Sequence, residues 1–124
     1  MRTERIIRRK IKLFMKYANV KSPYEINDGY CEEFAMDVID DLGGYSKDTF
    51  ELVSEEFGDE WATVQPGFKS EFGNLPLEVR KEFDLPGHVW IFHKGKHYDA
   101  EAPDGVKNFF NLPIFKRAVE RINQ

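Results

Sequence analysis

The sequence predicts a single α+β domain, with helices first and an antiparallel hairpin late in the chain. Three observations predict it. Residues 3–18 and 30–42 repeat apolar side chains at helical spacing, and residues 88–101 read as two strands across a two-residue turn. The length of 124 residues suits one domain with one core.

In residues 3–18, Ile7, Ile11, Phe14 and Ala18 form one stripe, flanked by Ile6, Leu13 and Tyr17, while Arg and Lys cover most of the rest. That is a basic amphipathic helix, contained in residues 1–21. Ser22-Pro23 breaks it, because the residue before a proline is pushed out of the helical region, and a loop is expected through Asn27-Asp28-Gly29. The second helix runs from about Tyr30 to Leu42 on Cys31, Phe34, Ala35, Val38 and Leu42, and Gly43-Gly44 ends it. Ser46 is expected to cap a third helix through Phe57 that buries Phe50, Val53 and Phe57. Trp61–Gln65 suggests a short strand closed by Pro66-Gly67, and Leu77, Val79 and Phe83 a short helix stopping before Leu85-Pro86-Gly87. The hairpin pairs His88–His93 with Lys96–Glu101 across Lys94-Gly95. Pro103-Asp104-Gly105 is expected to turn the chain away, and Asn111-Leu112-Pro113 to open a last helix on Ile114, Phe115, Ala118, Val119 and Ile122.

Hydrophobic residues at 41% and aromatics at 15% exclude a disordered chain. Charged residues at 32%, a mean hydropathy of -0.56 and the lack of a long apolar run argue against a membrane protein. No signal-peptide core opens the chain and one cysteine makes no internal disulfide, so a cytoplasmic setting is expected. The net charge of -4 is unevenly spread: residues 1–21 hold eight Lys or Arg and one acid, and the remainder ten bases and 21 acids. A basic helix face resting on an acidic body is favoured over nucleic-acid contact through Arg2, Arg5, Arg8, Arg9 and Lys12, because nucleic-acid binders show a broader basic patch.

Cys31 falls in the first turn of its helix, where unpaired backbone N–H groups and the helix dipole stabilise a thiolate or a developing oxyanion. Asp28, Glu32 and Glu33 work the other way on the thiol. Taken alone, a free cysteine on an apolar stripe is more often a core residue. The hairpin adds what the cysteine lacks. Strand alternation puts His88, Trp90 and Phe92 on one face, and the two-residue turn brings Asp99 to that face as a diagonal neighbour of His88. Glu101 could orient the imidazole instead if the register slipped. A thiol, a base and an acid in this arrangement point to nucleophilic cysteine catalysis. A zinc site on His88, His93 and His97 with Asp99 needs three or four converging ligands, and alternation sends His93 to the opposite face, so no metal or other cofactor is expected.

Gly29-Tyr30-Cys31-Glu32-Glu33-Phe34-Ala35 resembles the nucleophile motif of transglutaminase-like proteins. His88-Val89-Trp90-Ile91, a Gly-centred turn, His97-Tyr98-Asp99 and Pro103 resemble their second motif, and the wider relatives are the papain-like cysteine peptidases. The short length and the run 98–106 are similar to small phage or prokaryotic members. The resemblance covers about residues 29–106, of which only the two motifs are specific. It implies a papain-like core of helices on a small antiparallel sheet, with Cys31 as nucleophile, His88 as base and Asp99 as orienter. Where papain-like enzymes often carry a Gln donor, this chain has Glu25, six residues before the cysteine and a poor donor. Asn27 is expected in its place, with the Tyr24 and Tyr30 hydroxyls as alternatives, and Trp90 is expected in the wall beside His88, lining the substrate groove.

The expectation is a cysteine hydrolase, peptidase or amidase, acting on a protein or peptide substrate, with deamidase or transglutaminase activity behind it. The competing expectation is a catalytically idle protein of the same fold that acts as a protein-binding module or inhibitor.

Overall fold

A computed structural model of the chain describes residues 2–54 and 87–122. Helices α1 (Arg2–Ala18), α2 (Pro23–Asn27), α3 (Cys31–Asp41) and α4 (Pro113–Ile122) accompany strands β1 (Thr49–Ser54), β2 (His88–His93), β3 (Lys96–Asp99) and β4 (Ala102–Val106). The strands make a small antiparallel sheet in the order β1-β2-β3-β4, so the architecture is α+β. The expectations for Phe57, Trp61–Gln65, Pro66-Gly67, Leu77, Val79, Phe83 and Leu85-Pro86 lie outside the described residues. No helix among the described residues is long and apolar enough to cross a membrane.

The sheet is covered on both faces. On one, Ile7, Ile11 and Phe14 of α1, Ile26 of α2, and Phe34, Ala35, Val38 and Ile39 of α3 pack with Ile91 and Tyr98. On the other, Phe109, Leu112, Phe115 and Ala118 pack with Leu52 and Trp90. Consecutive residues Trp90 and Ile91 therefore enter different cores, which is why β2 is apolar on both sides. The Val119 and Ile122 side chains, expected on the buried face of α4, lie outside what is described. The basic face of α1 meets acids: Lys10 pairs with Asp37 at 3.1 Å and Asp41 at 3.2 Å, and Arg8 with Asp104 at 3.1 Å.

Three local expectations are corrected. The helix expected from Ser46 to Phe57 is strand β1 over its described part, in register with β2 from Thr49↔His93 to Ser54↔His88. Leu52 is buried and Val53 is exposed, as alternation requires. The Ser46 hydroxyl does accept a backbone N–H, from Asp48 at 3.1 Å, but it closes a reverse turn bridged to Thr49 rather than opening a helix. Pairing then decides, with Phe50 opposite Phe92 at a ring separation of 5.1 Å. The loop expected at 22–29 contains the single turn of α2, because Pro23 at its start has a φ already suited to helix. The segment expected to leave at Pro103-Asp104-Gly105 instead pairs with β3 as β4, beyond an irregular register between His97 and Asp99.

Gly105 makes that last pairing possible. Its φ is +79°, and a Cβ there would stand 2.6 Å from the Tyr98 ring. Gly105→Ala is therefore expected to destabilise the protein by about 1–3 kcal/mol, read as a lower urea midpoint at unchanged slope. The hairpin turn follows expectation: Lys94 (φ 48°) and Gly95 (φ 87°) are both left-handed, and His93 pairs with Lys96.

Candidate active site

Tyr30 caps the start of α3, and Cys31 is its first residue, partly buried. The sequence folds so because α2 and the short turn after it deliver the chain to a new helix start, with the Tyr30 N–H bonded back to the Ile26 carbonyl at 2.8 Å. This end of α3 meets the first residues of β2. The Cys31 thiol hydrogen-bonds the His88 side chain, and the backbone N–H groups of Val89 and Glu32 also serve the sulfur. Burial pushes the thiol pKa up, but the bonds from His88, Val89 and Glu32 and the charge of His88 outweigh it and leave it below the ordinary value.

His88 is buried, with Nε2 at 3.0 Å from Asp99 Oδ2. Its other ring nitrogen, Nδ1, is buried as well. The ring lies stacked on Trp90, centroids 5.9 Å apart, with Phe115 of α4 edge-on at 5.9 Å. Burial disfavours the imidazolium, yet the bonds to Asp99 and Cys31 and their charges raise the His88 pKa to about 9. A lowered thiol pKa beside a raised imidazole pKa shifts the balance from the neutral pair toward thiolate and imidazolium. Asp99 is buried too, and its Oδ1 accepts the Glu101 backbone N–H at 2.9 Å.

Cys31, His88 and Asp99 are thus brought together as the spacing and the hairpin register predict. Asp99, not Glu101, holds the imidazole. The other two histidines are engaged elsewhere: His93 Nδ1 with Thr49 Oγ1 at 2.6 Å, and His97 Nδ1 accepting from Trp90 Nε1 at 2.9 Å. No group of three or more potential metal ligands converges among the described residues.

The three residues expected along the groove are placed differently from one another. Trp90 is fully buried between His88, Phe109 and Phe115, so it supports the imidazole from within the core instead of facing a groove. Residues Phe115 and Ala118 of α4 pack in the same core as Trp90 and cover that face. Tyr30 is at the surface, its ring edge-on to Phe14 at 5.9 Å. Asn27 is buried and its Nδ2 donates to Glu101 Oε1 at 2.9 Å.

Sequence reasoning missed Arg117 and Phe115 as neighbours of the site. Arg117 grips Glu101 through two nitrogens, each at 2.9 Å, and stacks 5.0 Å above the Tyr24 ring. Burial raises the Glu101 pKa, but the Arg117 and Asn27 bonds hold it below the usual carboxylate value. Phe115 shows in sequence only as one more apolar position of the last helix. A cleft of about 630 Å³ borders Glu101, with Arg8, Lys12, Tyr24 and Pro103 also in its walls. No family model, curated protein or solved structure matches the chain.

Proposed function

We propose that this protein is a thiol hydrolase, a peptidase or amidase, that transfers the acyl group of a peptide or side-chain amide through Cys31. The observation that carries the reading is the Cys31 thiol bonded to His88, whose far nitrogen rests on buried Asp99. The two sequence motifs that resemble transglutaminase-like and papain-like enzymes support the same reading.

In this scheme His88 holds the thiol proton and the Cys31 sulfur attacks the amide carbonyl carbon, forming a C–S bond. The carbonyl oxygen takes the negative charge and is met by first-turn N–H groups of α3. His88 then gives its proton to the leaving nitrogen as the C–N bond breaks, which leaves a thioester. Water, losing a proton to His88, attacks that carbonyl and the C–S bond breaks, releasing the acid and restoring the thiol. Asp99 keeps the imidazole in the tautomer and orientation both transfers need.

Iodoacetamide at pH 6 tests the reading, because Cys31 is the one cysteine in the sequence. The unmutated chain is expected to be alkylated at least tenfold faster than free cysteine, whose thiol is almost wholly protonated there. Cys31→Ala should lose both the label and any amidase activity on a peptide panel. Labelling no faster than free cysteine would overturn the proposal and favour a binding protein of this fold.

A further inference from the structure

Glu101 has more bonding than a turn residue needs. Its backbone N–H donates to Asp99 Oδ1 at 2.9 Å, while Asp99 Oδ2 faces His88 Nε2 at 3.0 Å. Both Asp99 oxygens are thereby assigned, which fixes a carboxylate plane that is otherwise broadly free to rotate about χ2. A short turn between β3 and β4 would not hold that N–H in place by itself. The Glu101 side chain anchors it, receiving Arg117 Nη1 and Nη2 from α4 and Asn27 Nδ2 from the end of α2, each at 2.9 Å.

Each of these anchors leads to another part of the candidate site. Asn27 lies four residues before Cys31 and ends the helical turn that delivers it. Arg117 shares α4 with Phe115, whose ring edge meets His88. One carboxylate therefore ties the orienting acid to the segment before the nucleophile and to the helix behind the imidazole. Asn27 holds its place at a cost, since its Oδ1 is buried with no hydrogen-bond partner among the described residues. The Arg117 fork is planar, bidentate and stacked on Tyr24, the geometry in which an ion pair keeps a defined direction.

We infer that Glu101, gripped by Arg117 and Asn27, is a positioning residue that sets the Asp99 carboxylate against His88 and so maintains the reactive Cys31 thiol. The inference rests on the acyl-transfer reading, because it assigns Glu101 a role through Asp99 and His88.

The test is the pH profile of Cys31 alkylation by iodoacetamide in the full chain, read beside the thermal midpoint of each variant. Glu101→Ala and Arg117→Met are expected to raise the alkylation midpoint by about one pH unit, slowing the reaction at pH 6 about tenfold. Arg117→Lys keeps the charge without the fork and should recover part of the shift; it also serves as the readable variant should Glu101→Ala fail to fold. Asn27→Ala should move the midpoint in the same direction by less. Variants that melt earlier yet keep the unmutated alkylation midpoint would overturn the inference and leave Glu101 a structural brace, with the acyl-transfer reading intact. An ordinary thiol profile in the unmutated chain would overturn both.

Discussion

Asp99→Asn should slow alkylation of Cys31 at pH 6 by about tenfold or more and draw the alkaline limb of any amidase activity down from about pH 9. The substitution keeps the size of the side chain and removes its charge. Burial then acts on His88 with less opposition, and burial favours the neutral imidazole. Without a cation beside it, the Cys31 thiol loses part of what holds its pKa down. In the unmutated chain the acid limb should fall at the depressed thiol pKa, and the alkaline limb near 9, where His88 no longer carries the proton for the leaving nitrogen. An alkylation profile unchanged by Asp99→Asn would remove Asp99 from the mechanism.

The same pair has a particular effect on stability. The raised His88 pKa contributes stability that is full below the unfolded value of 6.5 and is lost as pH rises through about 9. The lowered thiol pKa contributes stability that is present above 9.0 and is lost as pH falls through the folded value. Where the pH lies above both 6.5 and the folded thiol value and below about 9, the two slopes cancel, because the folded pair and the unfolded pair each hold one proton. The stability contribution of the pair is thus flat over that interval, while the reactivity of the thiol reports the charge state directly.

Local signals made the candidate centre legible. Cys31 follows a break and opens a helix, and His88 and Asp99 are related by strand alternation and a two-residue turn, so each position is set by residues close by. What was not legible depends on partners far along the chain. Thr49–Ser54 is a strand because it pairs with β2, in register from Thr49↔His93 to Ser54↔His88, and nothing within the segment reveals that distant partner. The Glu101–Arg117 fork joins a turn to a helix 16 residues on, with charges that would serve equally well in solvent. The burial of Trp90 follows from Phe109 and Phe115, which pack on it from beyond the hairpin and leave no signal within the strand.

Trp90→Ala should cost about 3–5 kcal/mol, the usual range for emptying a buried aromatic site. That is a large part of the roughly 5–15 kcal/mol a domain typically has. The indole is fully buried, packs against Phe109 at 5.9 Å and Phe115 at 5.3 Å, and stacks beneath His88. Trp90→Phe separates packing from hydrogen bonding. It keeps a ring in the core but withdraws the Nε1 donor from His97 Nδ1, for an expected loss of about 1–3 kcal/mol. Urea midpoints of both variants measure these losses. Because Trp90 supports the imidazole without facing solvent, Trp90→Phe should lower stability while the relative rates on different peptide amides stay as they were. A groove residue would behave in the opposite way: changed preference among substrates with little loss of stability. That second pattern would return Trp90 to the groove and would contradict the burial that places it behind His88.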